Sequence, residues 1–256
     1  MAGLRIYVTG SIQVLHDDAG PRRARVLDER ALPGRQGRLV LAMLAIEHRR
    51  PVSRDELAEE LWPDELPTSW DLAVRSVVSK VRAAIARLDA DPIGGAFGAY
   101  RWHLSSDDWL DFEEAAAAVH RAEAALRTGT AAAAAGDALA AAAIAGHPFL
   151  AGIDSPWVLR QRERRLEVRL RALASTGEVW LRGGDHAEAA RDAERVLELD
   201  PYREAAMRLA IRAYTAMGDR ATAARAYDRF RRRLVDDLGV EPTAETVDLW
   251  RESSAR

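Results

Sequence analysis

Gly184-Asp185-His186-Ala187-Glu188-Ala189-Ala190 returns 34 residues later as Gly218-Asp219-Arg220-Ala221-Thr222-Ala223-Ala224, and Trp180 ahead of the first copy returns as Tyr214 ahead of the second. A period of 34 residues belongs to tetratricopeptide helix pairs, in which small residues let two helices approach closely and an aromatic side chain fills the space between neighbouring pairs. Working outward from the repeat, apolar periodicity and glycine or proline breaks predict helices over about 107–127, 130–145, 156–182, 185–199, 203–217, 219–237 and 243–252. The breaks fall at Gly129, Gly146-His147-Pro148, Gly183-Gly184, Asp200-Pro201, Gly218 and Gly239. Such a scaffold offers grooves to other proteins, and nothing in it has the make-up of a reaction centre.

The chain has 256 residues, 48% hydrophobic and 30% charged, enough for two domains with a core each. It contains no cysteine, which removes disulfides, thiolate metal sites and a cysteine nucleophile together, and suits a reducing cytoplasm. No stretch approaches the roughly 18 apolar residues that a bilayer demands. The first ten residues lack the basic start and apolar run of a secretory leader. The expectation is a soluble, cytoplasmic protein with no membrane partner.

Ahead of the helices the period is different. Leu4–Val8 and Ser11–Leu15 alternate apolar with polar residues around Gly10, as a half-buried hairpin does, and a third short strand is expected at 24–28. Leu39, Val40, Met43, Leu44 and Ile46 then follow helical spacing up to His48-Arg49-Arg50. Ser53 with Glu56 three residues on forms a capping box for a second helix ending at Trp62, with Leu57, Leu61 and Trp62 inward. After Pro63 and Pro67, Thr68 or Ser69 can cap a third helix with Val74, Val77, Val78, Val81, Ile85 and Leu88 on its apolar face. Gly94, Gly95 and Gly98 read as a turn before a closing strand over 100–104. The fold class expected is an α+β winged helix-turn-helix over residues 1–104, followed by an all-α tetratricopeptide-like repeat domain over 105–256.

Two helices, a short turn and a third helix with a basic, hydroxyl-bearing face make the arrangement by which a helix-turn-helix enters the major groove. Arginine pairs bidentately with guanine, and serine reaches a base edge or a phosphate. The candidate DNA-reading residues are Arg75, Ser76, Ser79, Lys80 and Arg82, with Arg38 and Arg101 on the same side. The competing reading is an ordinary solvated helix face. Charge does not separate the two: residues 1–104 carry a net +1 and residues 105–256 a net −4, so any basic footprint is local.

Several motifs together carry a family resemblance. In the first part they are Gly10-x-x-x-Val14, Gln36-Gly37-Arg38-Leu39-x-Leu41-Ala42-x-Leu44, Val52-Ser53-Arg54-Asp55-Glu56-Leu57 with Leu61-Trp62-Pro63, and Val78-Ser79-Lys80-Val81-Arg82. They resemble the amino-terminal domain of SARP-type (Streptomyces antibiotic regulatory protein) regulators, an OmpR-like winged helix. In the second part Pro148-Phe149-Leu150-x-Gly152 with Trp157, Asp200-Pro201-Tyr202-Arg203-Glu204, Gly218-Asp219 with Ala223-x-x-x-Tyr227, and Leu238-Gly239-Val240-Glu241-Pro242 before Thr246 are similar to the companion bacterial transcriptional activator domain. The resemblance implies a transcriptional activator that binds direct repeats in promoter DNA, contacts RNA polymerase and forms a homodimer, at least on DNA. It assigns Arg75, Ser76, Ser79, Lys80 and Arg82 to the recognition helix and Arg101 to the wing. Two departures stand out: Ser69-Trp70-Asp71 places an acid and an indole at the helix entry, and the wing is glycine-rich with few basic groups.

Those departures, with the near-neutral first domain, keep a second class open: an interaction scaffold whose winged helix has weak or no DNA binding. An enzyme is not expected, and neither a cofactor nor a metal. The six histidines are scattered without i, i+4 pairing, Gly94-Gly95-Ala96-Phe97-Gly98 lacks the spacing and lysine of a phosphate loop, and no serine occupies a nucleophile elbow. The arginine-dense stretch 160–171 reads as helix surface salt-bridged to Glu163 and Glu167. Trp62, Trp157, Trp180 and Trp250 read as core anchors. Tyr202, Tyr214 and Tyr227 are core as well, or else line a groove for a peptide or small effector.

Overall fold

The computed structural model describes residues 3–16 and 25–255. The chain packs as two units, one comprising Met1–Glu114 with Ile144–Arg165 and the other Ala115–Ala143 with Leu166–Arg256.

The first unit opens with a four-stranded sheet. Strands β1 (Leu4–Tyr7) and β2 (Gln13–His16) pair antiparallel, with Ile6 opposite Val14, and β3 (Arg25–Asp28) continues the sheet beyond β2. The expected third strand is thus present, except that Ala24 lies outside the described residues. On the other edge β7 (Trp109–Leu110) runs parallel to β1.

Three helices follow the hairpin: α1 (Gly34–Ile46), α2 (Arg54–Leu61) and α3 (Trp70–Ile85). From Leu39 to Ala45 every residue of α1 is buried, so this helix is the centre of the core rather than a surface rod. The capping box that starts α2 is complete: the Glu56 N–H donates to the Ser53 hydroxyl at 3.0 Å, and the Ser53 N–H donates to the Glu56 carboxylate at 2.9 Å. Leu57 is fully buried, whereas Leu61 and Trp62 are only half-buried against the core. A second sheet, ordered β4 (Val52–Ser53), β6 (Ala99–Trp102), β5 (Ile93–Ala96), closes the winged helix. Gly94 and Gly95 lie inside β5 and do not make the turn, which is formed by Phe97 and Gly98.

The core of this unit draws on residues far along the chain. Phe149, Leu150, Ile153, Trp157 and Val158 share a buried cluster with Ile6, Val14, Leu41, Val78 and Trp102. Polar bonds fix them there. Thr9 bridges to Phe149, the Gly10 N–H donates to the Pro148 carbonyl at 2.7 Å, and the Trp157 indole N–H donates to Glu47 at 2.9 Å. The Asp111 carboxylate, buried at the sheet edge, accepts from the Thr9 hydroxyl at 2.6 Å and from the Thr9 N–H at 3.0 Å. Packing therefore extends the first unit past the boundary expected near Ser105. Residues 105–114 complete the sheet edge, and 144–165 cover a face that 1–104 leaves apolar.

Helices α4 (Asp111–Arg127), α5 (Ala131–Gly146) and α6 (Pro156–Gly183) contribute residues to both units. The second unit continues with α7 (His186–Leu199), α8 (Glu204–Ala216), α9 (Arg220–Arg233) and α10 (Ala244–Ala255). The 34-residue repeat is a repeated joint. Gly184 and Gly218 adopt left-handed φ of 85° and 74°, and the following aspartate N–H donates back to the Trp180 or Tyr214 carbonyl at 2.9 Å, closing a Schellman stop. The same aspartate then caps the next helix, Asp185 accepting from the Glu188 N–H and Asp219 from the Thr222 N–H. Gly129 repeats the stop between α4 and α5, where Thr130 N–H donates to the Ala125 carbonyl at 2.9 Å. Alanines dominate the packed positions: Ala122, Ala134 and Ala138 form one cluster, and Ala189, Ala190, Ala193, Ala210 and Ala213 belong to another.

Details differ from the periodicity reading. After α9 a π turn (Leu234–Leu238) ends at left-handed Gly239, where an uninterrupted helix is expected from sequence. The arginine-dense stretch is not paired along its own helix either. Arg162 donates to the carbonyls of Phe149, Leu150 and Ile153, Arg165 is buried and donates to those of Ile144 and His147, and Arg171 pairs with Glu123. Of the four anchoring tryptophans only Trp157 is fully buried; the unforeseen Trp102 is the largest side chain sealed in the core.

Candidate nucleic-acid interface

Helix α3 divides as its sequence dictates. Val74, Val77, Val78, Val81 and Ile85 are buried, with Leu88 just beyond, while Arg75, Ser76, Ser79 and Lys80 are exposed and Arg82 is half-exposed. Ser69 occupies the cap position, yet its hydroxyl makes no capping bond; the entry is held instead by the Trp70 N–H on the Pro67 carbonyl at 2.9 Å. Leu72, Ser76, Ser79 and Ala83, spaced i, i+4, i+7 and i+11, form the outermost stripe. Arg75 and Arg82 flank it on one side, and Lys80 on the other.

The arginine flank faces the wing. Arg54, Arg75 and Arg82 line a depression of about 330 Å³ together with residues 95–100 of the β5–β6 hairpin. Asp71 lies between two of these guanidiniums, 2.5 Å from Arg54 and 2.9 Å from Arg75, and the Arg82 guanidinium grips Asp91 with both oxygens within 3.2 Å. The acid at the helix entry is therefore a spacer that orients two arginines, and it adds to the favourable field at the helix N-terminus. Three guanidiniums against two carboxylates leave a local excess of positive charge. Arg54 also fixes the wing, its backbone N–H donating to the Gly98 carbonyl at 3.0 Å.

The remaining two candidates lie elsewhere. Arg101, on β6, donates from Nε to the His48 carbonyl at 3.1 Å and from Nη2 to the Arg49 carbonyl at 3.2 Å, so it braces the turn after α1 and is absent from the depression beside α3. Arg38 is on α1, half-exposed, with Glu29 3.9 Å away. The sequence does not single out Arg54, which is there only the first residue after a cap, nor Leu72 and Phe97, whose exposure no periodicity announces. Phe97 is 107% exposed and Leu72 68%.

Core packing, the first reading of the three tyrosines, holds for buried Tyr214 and Tyr227 and not for exposed Tyr202, and the three do not share a groove. A cavity of about 390 Å³ in the second unit takes in Tyr214, Glu194, Phe230 and Arg233, but Tyr202 hydrogen-bonds Asp237 away from it and Tyr227 stacks on Trp250 with ring centroids 5.0 Å apart. Among the described residues, no group of three histidine, aspartate or glutamate side chains is placed to hold a metal, and no helix is long and apolar enough to cross a membrane.

A winged helix with an exposed basic helix face, in one chain with capped helix pairs of tetratricopeptide type, is the architecture of SARP-type regulators. The chain belongs to the family of the bacterial transcriptional activator domain, whose model matches residues 110–252. Regulatory protein AfsR of Streptomyces coelicolor is 31% identical over 224 residues, 87% of this chain and 22% of AfsR. Transcriptional regulatory protein EmbR of Mycobacterium tuberculosis is 29% identical over 213 residues, 80% of this chain and 54% of EmbR. A solved structure of M. tuberculosis EmbR in complex with a low-affinity phosphopeptide superposes with a TM-score of 0.80 at 25% identity, covering 100% of this chain and 66% of that one. The chain thus spans between a fifth and about half of the length of these curated relatives, which are named as regulatory proteins.

Proposed function

We propose that this chain is a DNA-binding transcriptional activator, cytoplasmic and without catalytic activity, that lays α3 in the major groove of promoter repeats. The carrying observation is the exposed stripe of α3, in which Ser76 and Ser79 stand between Arg75 and Arg82 on one flank and Lys80 on the other. Arginine and lysine there reach guanine edges or phosphates, and the serines reach either. Arg38 acts at the backbone on this reading, whereas the Arg101 guanidinium is held by the His48 and Arg49 carbonyls and supports the fold beneath the wing. The helix pairs of the second unit support contacts to RNA polymerase and to a second copy of the chain on adjacent repeats, because stacked pairs of this kind bind through grooves between helices.

Arg75→Ala with Lys80→Ala tests the reading face. This pair is preferable to Arg82, whose grip on Asp91 also ties α3 to the segment that enters β5. The parent chain, mixed with a random-sequence duplex pool at low salt, enriches a repeated site and retards it on a gel. The double variant melts like the parent and retards none of it. Each lost phosphate contact also flattens the log–log salt dependence by about 0.9. Parent-like retardation by the double variant overturns the assignment. A parent that enriches no duplex favours the scaffold, for which the helix pairs alone are the functional part.

A further inference from the structure

Phe97 forms the tip of the wing, and its environment has no explanation in folding. Its side chain is wholly exposed, its φ is 49°, and the next residue, Gly98, has φ 78°. Two consecutive left-handed residues make the tight hairpin turn that asparagine-glycine favours, and a bulky aromatic at the first of them is a backbone outlier. The tip thus holds a strained, solvent-facing phenyl ring where a small polar residue suits the turn better.

The surroundings are equally particular. Ala96, Gly98 and Ala99 flank the ring, so the tip has no charge with which to neutralise a phosphate. Immediately behind it lie the guanidiniums of Arg54, Arg75 and Arg82, and Arg54 anchors the turn through its bond to Gly98. A rigid apolar wedge backed by cations matches one occupant: a duplex whose phosphates meet the arginines while the wedge enters between base pairs from the minor groove. Side chains of this chemistry unstack a step and kink the helix.

Building on the DNA-binding reading above, we infer that Phe97 is a wedge that partly unstacks one base step and bends the duplex beside the site read by α3. The test uses the full chain and a duplex that the parent selects from a random pool, with fluorophores at its two ends and 2-aminopurine placed at successive positions. The parent brings the ends closer and raises 2-aminopurine emission at one position next to the α3 site. Phe97→Asn supplies the residue the turn favours, so it melts at or above the parent's temperature. It nevertheless loses the emission rise and the end-to-end shortening, and it binds about tenfold more weakly with an unchanged salt slope. Phe97→Leu retains most of both signals. Equal bending and emission by Phe97→Asn and the parent overturn the wedge while leaving the DNA-binding reading intact. A parent that selects no duplex overturns both, and loss of partner capture by Phe97→Asn with DNA bending unchanged assigns the ring to a protein contact instead.

Discussion

Two residues break local rules in opposite senses, and the difference separates folding from function. Gly37, in the first turn of α1, is a poor helix former, but a Cβ there would lie 2.3 Å from Cδ and 2.5 Å from Cγ of Pro33, whose ring cannot rotate away. Its lack of a side chain is a packing requirement. Gly37→Ala gains about 1 kcal/mol of helix propensity and loses about 1–3 kcal/mol to overpacking, so the variant is expected to unfold at lower urea than the parent. A midpoint at or above the parent's would show that Pro33 yields. Phe97 has no such neighbour, and its strain is left for function to explain. Asp111 adds a pH effect at this scale: burial raises its carboxyl above the ordinary aspartate range, working against the bonds from Thr9 and Val8. A raised carboxyl favours the protonated fold, so its contribution to stability declines as pH rises through that window.

At the scale of elements, the joints between helices show what is legible in a sequence and what is not. Gly184-Asp185 and Gly218-Asp219 can be read directly, since glycine at a stop and aspartate at a start are chemical requirements of the backbone. Helix α3 is legible for the same reason: Val74, Val77, Val78, Val81 and Ile85 share one period and are all buried. Strands β4 and β7 are not, because two residues carry no periodicity, and the glycines of β5 read as a turn although they lie in a ladder. The exposed basic face of α3 could be named from sequence, but its organisation by Asp71 and Arg54 depends on a meeting of α2, α3 and the wing. Buried polar ties between helices are also invisible beforehand. The Thr176 hydroxyl donates to the buried Asp192 carboxylate at 2.6 Å, and Thr176→Val is expected to cost about 1–3 kcal/mol by urea unfolding, because a sealed acceptor loses a donor. Between α4 and α6, the Arg171 guanidinium holds the Glu123 carboxyl below the usual glutamate range. Its stabilisation is present above about pH 4.3, the ordinary glutamate value, and is lost as pH falls through the folded value. Glu123→Gln should therefore flatten the acid limb of stability against pH, by at most about 1 kcal/mol for a pair this close to solvent.

At the scale of the molecule, the first unit is not a leading segment that could be cut off at will. Residues 1–104 lack Leu110, Phe149, Leu150, Ile153 and Trp157, all buried in the same core as β1 and α3. A fragment ending at 104 is expected to melt without a cooperative transition and to bind an apolar dye, whereas one ending at 165 regains a cooperative melt. Cooperative melting of the shorter fragment at the parent's temperature would show that the later segment is dispensable to the fold. The arrangement also bears on synthesis. A ribosome delivers the chain from its amino end at about 5–20 residues per second. The far end of the first hairpin, at Thr9 and Gly10, has to wait for Pro148 and Phe149 to leave the exit tunnel. By then α4 and α5 have already emerged, so the first unit closes only after more than half of the chain has been made, and a translational pause before residue 148 would hold a half-closed intermediate in reach of chaperones.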